Sequence, residues 1–291
     1  TAVGARALQS NTTGANNTAV GKSALLLNTT GTQNVAIGAA ALDANTTANN
    51  NVALGYASLT SNTTGATNTS VGALSLQENT TAANNTAVGY LSLGANTTGA
   101  SNVAVGASAL DANTTASNNV GIGLNAAGGT TTGADNIAIG TNSLLANTTG
   151  ASNVSVGTYA LNANTTASNN TAVGYQSLYA NTTGTANTAV GKGAGQSITE
   201  GIQNTLLGHE TGGSITTGYY NTVVGYGSGG ISSGFYNATL GYLTMAGAVT
   251  TGDYNTSMGY ATLFELTSGA NNLALGKNAG RASSPSGSIA T

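Results

Sequence analysis

The sequence predicts an all-β protein, a parallel β-solenoid or β-roll of about seventeen coils with 17 residues in each. Three observations lead there. Glycine returns at a fixed interval, from Gly4, Gly21 and Gly38 through Gly225, every one 17 residues after the last. The spacing then runs 16, 18 and 17 to Gly241, Gly259 and Gly276, so the register slips once and recovers. An asparagine stands four residues before each of these glycines except Gly4, sixteen times from Asn17 to Asn272. The residues between alternate as in a strand, and Asn, Thr and Gly at this density are poor helix formers.

We number one repeat from its Asn, as in N-T-A-V-G-Y-Q-S-L-Y-A-N-T-T-G-T-A over 170–186. The recurrent residues are Asn at place 1, Val, Ile or Leu at 4, Gly at 5, Ala or Ser at 8 and Leu at 9. Places 2 and 4 fall on one side of an extended segment and place 3, mostly Ala or Ser, on the other. Each repeat thus holds a short strand closed by Gly, where the chain needs a positive φ or a close backbone approach. A second extended stretch is expected over places 8 to 14, with N-T-T-G as the closing turn. Seventeen residues are too few for a strand, a helix and two loops but enough for two strands and two turns. Stacked at the inter-strand spacing of about 4.8 Å, such coils form a rod roughly 80 Å long.

Stacking turns identical residues into ladders. Asn at place 1, with Asn34, Asn51, Asn102 and Asn136 as examples, is expected to bond amide to amide, and Thr at places 13 and 14 hydroxyl to hydroxyl. Gly38, Gly55, Gly106 and Gly140 are the matching structural glycines. Place 9 is Leu and place 12 Asn in most repeats, yet the pair becomes Gly195 with Ile198 and Gly212 with Ile215. The apolar group has moved within one cavity, so place 12 should face inward. T-T-A and T-T-G alternate, as at Ala48, Gly65, Ala82, Gly99 and Ala116, which suggests duplicated units of 34 residues.

Three regions follow: regular N-T-T-G repeats over 1–187, Tyr- and Gly-rich variants of the same solenoid over 188–280, and a tail or linker over 281–291 with the only proline, Pro285. The chain opens in mid-pattern at Thr1, which reads as a segment of something longer whose caps are missing.

The residues N-V-A-I-G at 34–38, N-V-A-V-G at 102–106 and N-I-A-I-G at 136–140, each followed by A/S-L, resemble the head repeats of YadA-like trimeric autotransporter adhesins. Arrays of N-T-A-V-G-x-x-S-L are also similar to those of phage tail fibres. The resemblance covers residues 1–280 and implies a parallel β-roll with three chains to a fibre, outside the cell, at a cell surface or on a virion. The adhesin heads use shorter repeats, so N-T-T-G here reads as an enlarged outer loop or strand. Association has a second argument, because each coil offers only about three sizeable aliphatics, and the Ala and Ser rows at places 3 and 8 suit close packing between chains. Self-association as a homotrimer, or end to end as a filament, is therefore expected.

Composition excludes much else. Charged residues are 4% of the 291, against about 25% in ordinary domains. Such a chain builds shape rather than reactivity, and we read it as noncatalytic and without cofactor. Five basic residues do not make the footprint of a nucleic-acid binder. No apolar run is long enough for membrane insertion, and with 0 Cys, stability must come from repetition or association rather than disulfides.

Few residues invite chemistry. Glu200, His209 and Glu210 cluster in sequence, but His209 occupies place 6, an outward position elsewhere held by Tyr56, Tyr90 or Lys22. Asp43 and Asp111 are in repeats too far apart to share a metal, and G-K-G-A-G at 191–195 lacks the spacing of a phosphate loop. The N-T-T triplets at Asn11, Asn28, Asn45, Asn62, Asn79, Asn96, Asn113, Asn147, Asn164 and Asn181 are formal N-glycosylation acceptors. An inward Asn ladder is the preferred reading, and a glycosylated extracellular filament scaffold the alternative. A second alternative is an ice-binding solenoid, with places 12 and 14 presenting an N-x-T grid. Tyr219, Tyr220, Tyr226, Tyr236, Tyr242, Tyr254 and Tyr260 are candidates for contact with a cell-surface glycan or receptor, or else form a stacked cover on the coil edge.

Overall fold

The computed structural model describes residues 1–247 and 250–281; the expected tail, apart from Arg281, lies outside the described residues. Two compact units are present, Thr1–Thr149 and Gly150–Thr291. The first contains β1 (Ala2–Val3), β2 (Thr18–Val20), β3 (Val35–Ile37), β4 (Val52–Leu54), β5 (Thr69–Val71), β6 (Thr86–Val88), β7 (Val103–Val105), β8 (Val120–Ile122) and β9 (Ile137–Ile139). The second contains β10 (Val154–Val156), β11 (Thr171–Val173), β12 (Thr188–Val190), β13 (Thr205–Leu207), β14 (Thr222–Val224), β15 (Ala238–Leu240), β16 (Thr256–Met258) and β17 (Leu273–Leu275). Within each unit every strand pairs in parallel with its sequence neighbour, like place on like place, as in Val35↔Val52 and Thr171↔Thr188. This is an all-β parallel solenoid with one strand per coil.

The expected second strand is replaced by turns. From place 6 to place 11 the chain turns continuously, as over 39–44, and φ is positive at places 7 and 9, with Ala40 at 56° and Leu42 at 50°. A left-handed residue other than Gly costs about 1–2 kcal/mol. Here neighbouring coils offset it: the Ala40 amide donates back to Lys22 O at 2.9 Å and the Leu42 amide forward to Ser58 O at 3.1 Å. Amides at these two places bind opposite neighbours, so the turn is stitched on both sides without a strand ladder. At place 5 the demand is stricter. Gly38 has φ of 140°, and a Cβ there would lie 2.2 Å from Gly55 O. No side chain fits between the stacked peptides.

The interior is narrow. Ala19, Ala36, Ala53 and Ala104 at place 3, Ala24, Ala41 and Ser58 at place 8, and Leu25, Leu42, Leu59 and Leu110 at place 9 are wholly buried. The Ala and Ser rows therefore face into their own coil, not towards neighbouring chains, because the coil is too thin for anything larger opposite the leucine. Where Ser replaces Ala at both places, the hydroxyls pair, as Ser58 Oγ with Ser70 Oγ at 2.7 Å.

Asparagines close the core. Place 12 faces inward, and Asn28, Asn45, Asn62, Asn79, Asn96 and Asn113 are fully buried. Each donates Nδ2 to the Oδ1 of the preceding rung, from Asn28 to Asn11 at 2.7 Å through Asn113 to Asn96 at 2.8 Å. The same Nδ2 reaches the carbonyl at place 15, where the place 1 amide converges: Asn34 and Asn45 both donate to Ala48 O, at 2.8 and 3.2 Å. The place 1 Oδ1 accepts the backbone N–H of the next rung, as Asn17 does from Asn34 at 2.9 Å. The Thr row at place 13 departs from expectation. Its hydroxyls donate to backbone carbonyls of the next coil, Thr12 Oγ1 to Thr29 O at 2.9 Å.

The place 12 ladder ends where its residue changes. After Asn113 comes Thr130, after Asn181 comes Ile198, and Asn113 Oδ1 and Asn181 Oδ1 are buried without a partner. The Leu-to-Gly and Asn-to-Ile exchange is a volume swap, as expected: Ile198 and Ile215 are fully buried. A Cβ on Gly195 would stand 2.6 Å from Leu206 Cδ1, a leucine at place 3 where earlier coils hold Ala, Ser or Gly. The slip leaves the strand register intact. Thr222 still pairs with Ala238 and Ala238 with Thr256, although one coil is a residue short and the next a residue long.

Candidate functional site

Three surfaces merit attention. The first is the outward side of the strands. With place 3 turned inward, places 2 and 4 project outward, and Ile37, Val52, Leu54, Val105, Ile122 and Ile139 are 37–44% exposed. These residues form two apolar or Thr-bearing rows along the first unit. In the second unit Thr205, Leu207, Thr222, Val224, Leu240 and Met258 continue the pattern, and β14 to β16 frame a shallow groove of about 190 Å³ around Ala238. An apolar patch of this regularity is unusual on an isolated soluble chain. The signal in the sequence was partial: place 3 is mostly Ala or Ser and place 4 always a larger aliphatic residue, which fixes their opposition but not which side goes inward.

The second is aromatic and belongs wholly to the second unit. At place 6, His209, Tyr226, Tyr242 and Tyr260 stack face to face, with centroids 5.1, 5.3 and 5.3 Å apart and planes within 9°. Lys277 Nζ covers the last ring at 5.7 Å. In the two residues before the place 1 Asn a double file forms. Tyr219 stacks on Phe235 at 4.9 Å, Tyr220 on Tyr236 at 4.8 Å and Tyr236 on Tyr254 at 5.2 Å. Adjacent files meet edge on, Tyr219 against Tyr220 at 5.4 Å. A sugar platform needs a free ring face; the faces inside each file are covered by neighbouring rings. Phe235 had no place in a Tyr-based reading, and only its phase identifies it.

The third is N-T-T. Asn28, Asn45, Asn62, Asn79, Asn96, Asn113, Asn147, Asn164 and Asn181 are fully buried, so their Nδ2 atoms have no room for a glycan in the folded coil; Asn11, on the first coil, is half-buried. The N-x-T grid is likewise undone, because place 12 lies inside while the second Thr of each triplet lies outside. The ladder residues Asn34, Asn51, Asn102 and Asn136 are buried, and Gly38, Gly55, Gly106 and Gly140 take φ of 130–143°.

The titratable groups stay scattered. His209 Nδ1 is 3.9 Å from Glu210 Oε1, with side chains 37% and 50% exposed, and the imidazole is spent on stacking. Burial raises the Asp43 carboxyl above its ordinary value, opposed by Arg6, and raises that of Asp111, opposed by the N–H groups of Ala112 and Asp111. Among the described residues no three His, Cys, Asp or Glu side chains gather to hold a metal, and no helix is long and apolar enough to cross a membrane. No family model matches the chain, and no curated protein matches it.

Proposed function

We propose that this chain is a noncatalytic structural or adhesive segment of an extracellular fibre, an adhesin head or tail-fibre shaft, in which three copies pack through their outward strand faces. One observation carries the proposal: the outward rows at places 2 and 4, exposed in some coils and half-buried in others, recur along each unit. A second copy in the same register would bring like rungs to the same height, so that one contact repeats along the face and three such contacts close a ring. Apolar rows such as Val35 with Ile37 and Ile137 with Ile139 gain most from leaving water. The low charge leaves little repulsion between copies.

Native mass spectrometry of the intact chain tests this. A mass of three polypeptides is expected, falling to one in Ile37→Lys/Ile139→Lys with the circular dichroism unchanged. A wild-type monomer at micromolar concentration, or a variant that assembles as before, would overturn the proposal.

A further inference from the structure

We infer that the two tyrosine files of the second unit are sites of oxidative coupling, at which a peroxide-driven one-electron oxidant, such as a haem peroxidase, joins successive coils through dityrosine bonds. The geometry supplies what the reaction needs. Tyr226, Tyr242 and Tyr260 stack at 5.3 Å, and Tyr220, Tyr236 and Tyr254 at 4.8 and 5.2 Å, with planes within 10°. Each is 39–52% exposed, so its edge meets an oxidant in solution while its face meets its partner. The backbone holds the pairs together: Leu243, next to Tyr242, donates its N–H to Tyr226 O at 3.0 Å, and Ala261, next to Tyr260, donates to Tyr242 O at 2.9 Å.

Each phenol of a pair loses one electron and one proton. The two phenoxyl radicals form a carbon–carbon bond between their Cε atoms, and the hydrogens on those carbons move to the oxygens, restoring both phenols. Two hydrogens leave per link, and one hydrogen peroxide takes them up to become two waters. The links at Tyr226, Tyr242 and Tyr260 would staple the short coil to the long one, across the place where the repeat loses and regains its register. Tyr56 and Tyr90 provide an internal control. They are 63% and 54% exposed, hence no less accessible than the stacked rings, but Ala73 holds place 6 between them, and two coil spacings of about 4.8 Å keep them about 10 Å apart.

The test oxidises an equal mixture of unlabelled and nitrogen-15-labelled full-length chain with haem peroxidase and dilute peroxide, followed by peptide mapping. Blue dityrosine fluorescence is expected, with links joining 226 to 242, 242 to 260, 220 to 236 and 236 to 254. Each linked pair should be lighter by two hydrogens and carry a single isotope label. The double variant Tyr236→Phe/Tyr242→Phe keeps the stacking rings and should lose all four links. Links made as often at Tyr56 or Tyr90, links of mixed label only, or an undiminished yield in the double variant would overturn the inference.

Discussion

Replacing Thr130 with Asn should stabilise the protein, against the usual direction of core substitutions. Asn113 Nδ2 donates to Asn96 Oδ1 at 2.8 Å and to Ala116 O at 3.0 Å, but its own Oδ1 is buried without a partner. The next rung is the fully buried Thr130, whose hydroxyl accepts from Asn147 Nδ2 at 3.3 Å. An asparagine in its place would donate to the orphaned oxygen and offer Asn147 an amide acceptor like those elsewhere in the ladder. The coil carries a smaller side chain beside place 12 than its neighbours do, with Ala127 where they have Leu110 and Leu144. Pairing a buried orphan recovers about 1–3 kcal/mol, and ordering the longer side chain costs about 1 kcal/mol, so a net gain of about 1 kcal/mol is expected. Equilibrium urea unfolding of the full chain reads the change, and native-state hydrogen exchange at the side-chain amides of Asn113 and of the introduced residue localises it. Thr130→Val, of the same shape, should destabilise by about 0.5–1.5 kcal/mol for the lost hydroxyl. If Thr130→Asn lowers the urea midpoint while Thr130→Val leaves it unchanged, the ladder accounting is wrong.

Leu59→Ala empties the only large side chain inside its coil and should cost about 2–5 kcal/mol in the same unfolding assay. Gly38→Ala should prevent stacking, since its Cβ would lie 2.2 Å from Gly55 O, whereas Gly276→Ala, with nothing within 4 Å, should cost only the strain of φ at 103°; soluble yield and circular dichroism separate them. Burial, then the charges of Tyr220, Tyr254 and Tyr219, hold the Tyr236 phenol above its ordinary value of 10.0. Its contribution is therefore full below about pH 10 and lost as pH rises through the higher folded value, a loss that Tyr236→Phe should remove from alkaline unfolding curves. The raised carboxyls of Asp43 and Asp111 act likewise from 3.8 upward: stability is greatest in acid and declines as they ionise, and Asp43→Asn with Asp111→Asn should flatten that decline.

The period, the strand at places 2 to 4 and the inward Asn at place 12 were legible because each rests on residues whose role repeats. The exchange of Leu178 with Asn181 for Gly195 with Ile198 is enough by itself to turn place 12 inward. The stretch from place 6 to place 11 was not legible. Leucine carries no preference for positive φ, so nothing local announces that Leu42 sits at 50°; the bonds to adjacent coils impose it. Facing was half legible. Alternation separated place 3 from places 2 and 4, but only the width of the coil decides that alanine goes in and isoleucine out. For the tyrosines, phase foretold stacking, whereas loss of the free ring faces is a matter of spacing.

The Asn ladder also has a direction. Every amide from Asn28 to Asn113 donates towards the lower-numbered coil, and the backbone N–H groups at place 1 do the same. Aligned amides reinforce one another as peptide dipoles do in a helix, so the file has a donor end and an acceptor end. Along an unbroken run of Asn, a coil joining from the carboxyl side finds acceptors waiting. Two such files brought tail to tail would set oxygen against oxygen, and only head-to-tail contact would continue the pattern. The stack is thus vectorial at the level of its side chains, its direction set by the polarity of a single residue type.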